Sequence, residues 1–158
     1  GVVPGRHPGV GRLGDRAPTI LDLAGLAPTA RADGESFAPA LRGEPLEPRI
    51  AYAESTYLFA PPDEPGQYVP PWDGPTLRYE PALDAFALDP RYHDPVLRAK
   101  IRMARADGWK LVRVPLAGGC SADRLYDMAA DPRQERDVAV EHPDVVRRLA
   151  WFLDRVGP

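Results

Sequence analysis

The sequence predicts an α+β fold: a small antiparallel sheet of about four strands with a C-terminal helix packed on it, plus a short N-terminal helix and a long Pro-rich loop. Three stretches carry that prediction. Residues 101–106 and 109–114 are runs rich in apolar and β-forming side chains, separated by Asp107-Gly108, the dipeptide that a two-residue type I′ turn requires, so the pair reads as a β-hairpin. Val145, Val146, Leu149, Phe152, Leu153 and Val156 recur at helical spacing, which puts an apolar stripe on one face of a helix over about 143–156. Residues 50–55 alternate weakly around Tyr52 and read as a further strand.

The elements follow in chain order. Residues 1–14 hold five glycines, carry no helix start signal and read as a loop cut from something longer. Asp15 is placed to N-cap a helix over 16–24, with Pro18 in the first turn, where a missing N–H costs little, and Gly25 as the left-handed C′ residue. Its Ile20, Leu21 and Leu23 make an apolar face in need of a partner. Asp33-Gly34 marks a turn, Ser36 an N-cap, and Gly43 the end of a short helix carrying Phe37 and Leu41. Residues 56–100 contain nine prolines and seven aromatics, Tyr57 and Phe59 among them. A disordered linker is poor in aromatics, so this span is expected to be an ordered surface loop, with a short helical piece at 81–87. After a loop holding Gly118, Gly119 and Cys120, residues 124–126 supply a last short strand, with Tyr126 and Leu125 expected beneath the final helix. Asp127 and Asp131 are placed to bond backbone N–H groups at turns. Pro143 opens the last helix and Gly157-Pro158 stops it.

Composition narrows the function. A chain of 158 residues with 44% hydrophobic residues suits one modest domain. A net charge of −3 with both signs interspersed gives no basic stripe, so nucleic acid is not an expected partner. No apolar run approaches the length of a membrane span. One cysteine cannot form an internal disulfide, and three scattered histidines do not complete a zinc site with it.

The ordered set Arg102-x-x-Arg105-x-Asp107-Gly108-x-Lys110-Leu111-Val112, then Leu125-Tyr126-Asp127, then Ala129-Ala130-Asp131-Pro132 and Asp137-Val138-Ala139, then residues 141–149, resembles the C-terminal subdomain of the sulfatases, in the alkaline-phosphatase superfamily. Residues 14–26 and 32–43 resemble phrases that follow that family's main-domain sheet. The resemblance implies that 1–49 is the end of the main domain and 50–158 the C-terminal subdomain, with 56–100 an insertion it leaves unmatched. It implies sulfuric ester hydrolysis by the full-length enzyme, on a sulfate-ester substrate, with a calcium ion and a formylglycine supplied by an N-terminal part. This chain by itself is then expected to be inactive, to shape the substrate cleft, and to self-associate through apolar surface left uncovered.

No catalytic residue or metal ligand is assigned. Cys120-Ser121-Ala122-Asp123-Arg124 has Cys and Arg at the spacing of the family's nucleophile motif, but Ala where Pro is usual and a loop where a helix start is needed. Three residues are candidates for the substrate cleft. Lys110 stands where the family's phrase also has lysine and offers a compact cation, or else lies on the solvated face. Glu54 ends the first strand near where the family's main domain approaches, or pairs with Arg102 or Arg105. His93 lies in the insertion, as a cleft or a surface histidine. A phosphonate or phosphate ester hydrolase of the same superfamily fits the same phrases, and a stand-alone module binding an acidic or sugar ligand is the reading from another class.

Overall fold

The computed structural model describes residues 5, 9–27, 32–55, 62 and 64–156. The elements in order are α1 (Arg16–Leu23), α2 (Ala38–Leu41), β1 (Ala51–Ser55), β2 (Leu77–Glu80), β3 (Ala85–Leu88), α3 (His93–Arg98), β4 (Ile101–Ala106), β5 (Trp109–Pro115), β6 (Ser121–Asp127) and α4 (Pro143–Val156). Strands β1, β4, β5 and β6 lie side by side in that order, antiparallel throughout, and α4 covers one face. This is the expected helix-on-sheet layer pair.

The β4–β5 hairpin turns where expected, because Asp107 and Gly108 both adopt the positive φ, 50° and 80°, that a type I′ turn needs. Pairing Ala104 with Leu111, and Leu111 with Leu125, sets these three side chains on one face. With Ala106, Val138, Leu149 and Leu153 they make the buried core, where each leucine contributes roughly 1.5–3 kcal/mol of burial. Tyr126 is buried too, but strand alternation sends it to the face opposite Leu125, away from α4. Within α4 the fully buried positions are Leu149 and Leu153; Val145, Val146 and Phe152 flank them half-buried, whereas Val156 and Trp151 are exposed. The stripe is thus narrower than the sequence pattern, since a helix on a four-stranded sheet touches it along one line. Asp127 accepts from the N–H of Ala129 and Ala130, and Asp131 from that of Arg136, as turn aspartates do. Gly157-Pro158 lies outside the described residues.

The N-terminal region is built differently. Helix α1 ends as expected at Gly25, φ 69°, with Leu26 N–H bonded to Leu21 C=O, and Ser36 accepts from the N–H of Ala38 at the start of α2. Asp15 does hold the N-cap position of α1, but its side chain makes no cap hydrogen bond to that helix. A 3₁₀ turn, Leu13–Asp15, precedes α1, and the Asp15 carboxylate turns inward, 0% exposed. It accepts from the backbone N–H of Arg12 (3.0 Å) and Glu35 (2.9 Å) and lies 3.1 Å from the Arg12 guanidinium and 3.6 Å from that of Arg49. Thr19 adds a second tie, donating to Asp15 C=O and accepting from Phe37 N–H. Gly34 lets these stretches of backbone meet, since a Cβ there would stand 2.1 Å from Gly14 O.

Residues 64–100 are more regular than expected. The stretch 81–87 is no helix: residues 81–84 form the turn of a β2–β3 hairpin, with Asp84 taking the left-handed φ of 48° that closes it. The pairs Leu77 with Leu88 and Tyr79 with Phe86 are apolar cross-strand partners, which favours a hairpin over an isolated helical turn. Helix α3 follows. Tyr92 anchors the base of this arm, 1% exposed, its ring 5.1 Å from that of Trp72 and its hydroxyl donating to Asp73. Tyr57 and Phe59 lie outside the described residues.

Candidate functional site

The register of the main sheet lines up four charged side chains across all its strands on the helix-covered face: Glu54, Arg102, Arg113 and Asp123, each directly opposite the next. Two arginines side by side repel, and the flanking carboxylates offset this. Arg113 is held bidentate by Asp123, at 2.7 and 2.8 Å, and also pairs with Asp154 from the last turn of α4. Its guanidinium is held even more firmly protonated than usual, through the hydrogen bonds to Asp123 against the opposing effect of burial. Glu54 pairs with Lys100 and accepts from Tyr52 Oη at 2.6 Å. Those bonds, that of Lys100 foremost, lower the pKa of Glu54. Burial, with Glu54 next, raises that of Tyr52.

Arg102 and Arg113, the two central members of this row, line an open cleft of about 560 Å³. Lys100, just ahead of β4, and Arg98, at the end of α3, bring two more cations to it, and Asp94 is a lining carboxylate. Tyr68 makes one wall, with the Arg98 guanidinium 5.0 Å above its ring. Residues 66–68 are held there by pairing with 115–117, Tyr68 N–H to Pro115 C=O and Ala117 N–H to Gly66 C=O. The loop between β5 and β6 closes the rim with Gly119, Cys120 and Ser121. Four cations thus line one concavity, with Arg113 already paired with Asp123 and Asp154 and Lys100 with Glu54, so an anionic group there shares these cations with their carboxylates.

The sequence candidates fall in different places. Glu54 borders the cleft through Lys100, pairing there rather than with Arg105. His93 starts α3 one residue before Asp94; it is exposed and lies 3.3 Å from Leu88 C=O. Lys110 stands opposite Arg105 and Tyr126, on the face away from α4 and the cleft, donating to Gln134. Its pKa is lowered by burial and then by the Arg105 charge. Cys120 is exposed at the rim, but Arg124 points to the far face and pairs with Glu64, so the two ends of the Cys-x-x-x-Arg spacing do not converge. Among the described residues no group of three or more His, Cys, Asp and Glu side chains is placed to hold a metal ion, so a calcium site does not fit here. No described helix is long and apolar enough to cross a membrane. Arg98 and Lys100 lie close in the chain, but Arg113 joins them only through the register that sets it opposite Arg102, so the cluster is not a candidate from the sequence alone.

No protein-family model matches the chain, and no curated protein matches it. Among solved structures it is similar to the phosphonate monoester hydrolase of Agrobacterium radiobacter (20% identity, TM-score 0.50, 88% of this chain and 23% of that one). It is similar to the phosphonate monoester hydrolase of Silicibacter pomeroyi as well (20% identity, TM-score 0.50, 89% and 24%). A 2-O GAG sulfatase aligns at 22% identity and TM-score 0.49 over 87% of this chain and 22% of that one. The chain therefore spans under a quarter of the length of each of these three proteins.

Proposed function

We propose that this chain is the C-terminal part of a sulfatase-like hydrolase and that its basic cleft borders the substrate site of the full-length enzyme. In this reading residues 1–49 end the main domain and 50–158 form the C-terminal subdomain. The substrate is a sulfate ester, and the nucleophile and any calcium come from the remainder of the enzyme. Supporting it are the resemblance of the ordered phrases from Arg102 to Leu149 and the fold shared with the two phosphonate monoester hydrolases. The observation that carries the cleft role is the convergence of Arg98, Lys100, Arg102 and Arg113 on one concavity. Glu54 acts there by positioning Lys100, and His93 lies one residue before the lining Asp94. Lys110 faces away and contributes to the fold. The exposed Leu13, Ile20, Leu23 and Leu26 around α1 form the surface on which the remainder packs, and the chain alone should bind hydrophobic dye there. A phosphonate or phosphate ester hydrolase is the second reading, since it shares the fold and makes the same demand for cations.

Calorimetric titration with an aryl sulfate and an aryl phosphonate tests the cleft. Binding that weakens at least tenfold in Lys100→Ala and Arg98→Ala, and is unchanged in Lys110→Ala, is expected. Equal binding by all variants would remove the cleft from the proposal. The purified chain should show no aryl sulfate turnover, because attack at sulfur needs an activated nucleophile and stabilised charge, each worth orders of magnitude in rate. Turnover abolished by Cys120→Ala would overturn the reading.

A further inference from the structure

The β2–β3 hairpin is an arm whose two outer edges are unpaired among the described residues. Two strands alone are marginal in water, and this pair is also amphipathic. Leu77, Tyr79, Phe86 and Leu88 share one face, with the Tyr79 and Phe86 rings 5.8 Å apart edge to face and Phe86 still 73% exposed. Arg78 and Glu80 share the other face and pair at 3.0 Å.

Asp89 N–H bonds to Thr76 C=O directly opposite it, which makes that pair, and by alternation Arg78 with Ala87 and Glu80 with Ala85, the hydrogen-bonded ones. The backbone N–H and C=O of Leu77 and Tyr79 therefore point outward along the free edge of β2. A second β2 laid antiparallel against this edge with Tyr79 opposite Tyr79 pairs the outward N–H and C=O groups of the two Tyr79 residues and sets Leu77 opposite Pro81, which has no N–H to return. The same register sets Arg78 opposite Glu80 of the second copy and Glu80 opposite its Arg78, at the closer, non-hydrogen-bonded positions. At this register the edge is self-complementary in charge and bonds reciprocally to itself at Tyr79, as a two-fold interface requires.

We propose that two copies of this chain associate through β2, paired antiparallel about a two-fold axis at Tyr79, joining the hairpins into one four-stranded sheet. The two Tyr79 rings meet at the axis and the apolar faces run together, while Pro81, which has no N–H to donate, ends the pairing and keeps the sheet from extending further along the edge. The occupant is a second copy rather than an unrelated strand because the charge order reads as its own complement.

The test is sedimentation velocity on the full chain and on two charge reversals, Arg78→Glu and Glu80→Arg. The wild type is expected to sediment as a dimer of the 17.3 kDa chain. Each reversal places like charges opposite one another at two symmetric positions and should weaken association on the order of tenfold. Mixing the two variants in equal amounts sets a strand acidic at both positions against a strand basic at both. The dimer should then return as a heterodimer, detectable with one variant fluorescently labelled. Recovery on mixing cannot arise from repair of the pair within one chain, which stays broken in both variants. A monomeric wild type, association unchanged by either reversal, as contact through α1 would give, or variants that fail to combine with each other would overturn the proposal.

Discussion

The N-terminal region up to Arg49 and the sheet with α4 are held together by opposite means. In the first, the largest fully buried side chain among the described residues is a carboxylate, Asp15, tied by directional bonds to Arg12, Glu35 and Arg49, while Ile20, Leu23 and Leu26 stay exposed. In the second, Ala104, Leu111, Leu125, Leu149 and Leu153 exclude water by close packing, and the charges lie at its margin. Burial of apolar volume tolerates pH and punishes lost volume. A buried charge tolerates nearby volume changes but fails when one partner, or the charge itself, is removed.

The difference predicts how each half breaks. Leu149→Ala should have the largest effect, about 2–5 kcal/mol, seen as a large fall in the melting temperature of the whole chain. Asp15→Asn should cost about 1.5–3 kcal/mol, the range for hydrogen bonds to a charged group, and should act locally, with faster amide exchange at Thr19 and Phe37 and an unchanged β4–β5 hairpin. If instead it lowers protection in β5 as much as in α1, the two regions are one cooperative unit.

The same residue gives the first region its own acid limit. Burial pushes the Asp15 carboxyl up, but the bonds from the Glu35 and Arg12 N–H groups and the Arg12 guanidinium outweigh it and hold its pKa below the ordinary value. A lowered folded pKa contributes stability that is present above the unfolded value of about 3.9 and is lost as pH falls through the folded one. Protection in α1 should therefore decline on acidification below about pH 4 in the wild type, and this component should vanish in Asp15→Asn.

Gly34→Ala sharpens the comparison further, because the added methyl must displace the backbone at Gly14 rather than a flexible side-chain tip. It should cost about 1–3 kcal/mol in the N-terminal region alone, readable by the same exchange measurement. The smallest effect is expected at the margin of the second region, where Arg148→Ala removes a half-exposed pair with Asp107. That change should shift stability by less than about 0.5 kcal/mol.

What the sequence discloses follows from how local each signal is. Asp107-Gly108 specifies its turn within two residues, and the α4 stripe repeats over four turns, so both are legible. The strand expected at 124–126 runs from Ser121 to Asp127, because pairing with β5 extends it beyond what its own side chains announce. The β2–β3 hairpin escapes the sequence pattern because its turn, Pro81-Ala82-Leu83-Asp84, has no glycine or asparagine, and Asp84 takes the left-handed position instead. Asp15 reads as a cap of α1 because, Arg12 apart, its partners Glu35 and Arg49 lie 20 and more residues away. The cleft is hidden in a similar way: Arg98, Lys100 and Arg102 are near in the chain, but Arg113 joins them only once the β4–β5 register sets it opposite Arg102.

The chain's one cysteine is Cys120, exposed on the rim of the basic cleft between Gly119 and Ser121. It supplies a chemically unique attachment point for a maleimide dye or nitroxide without any engineered mutation. A probe fixed there sits beside Arg113 and Ser121, so its emission or rotational freedom should change when an anion enters the cleft, while events at the β2 edge or around α1 leave it silent.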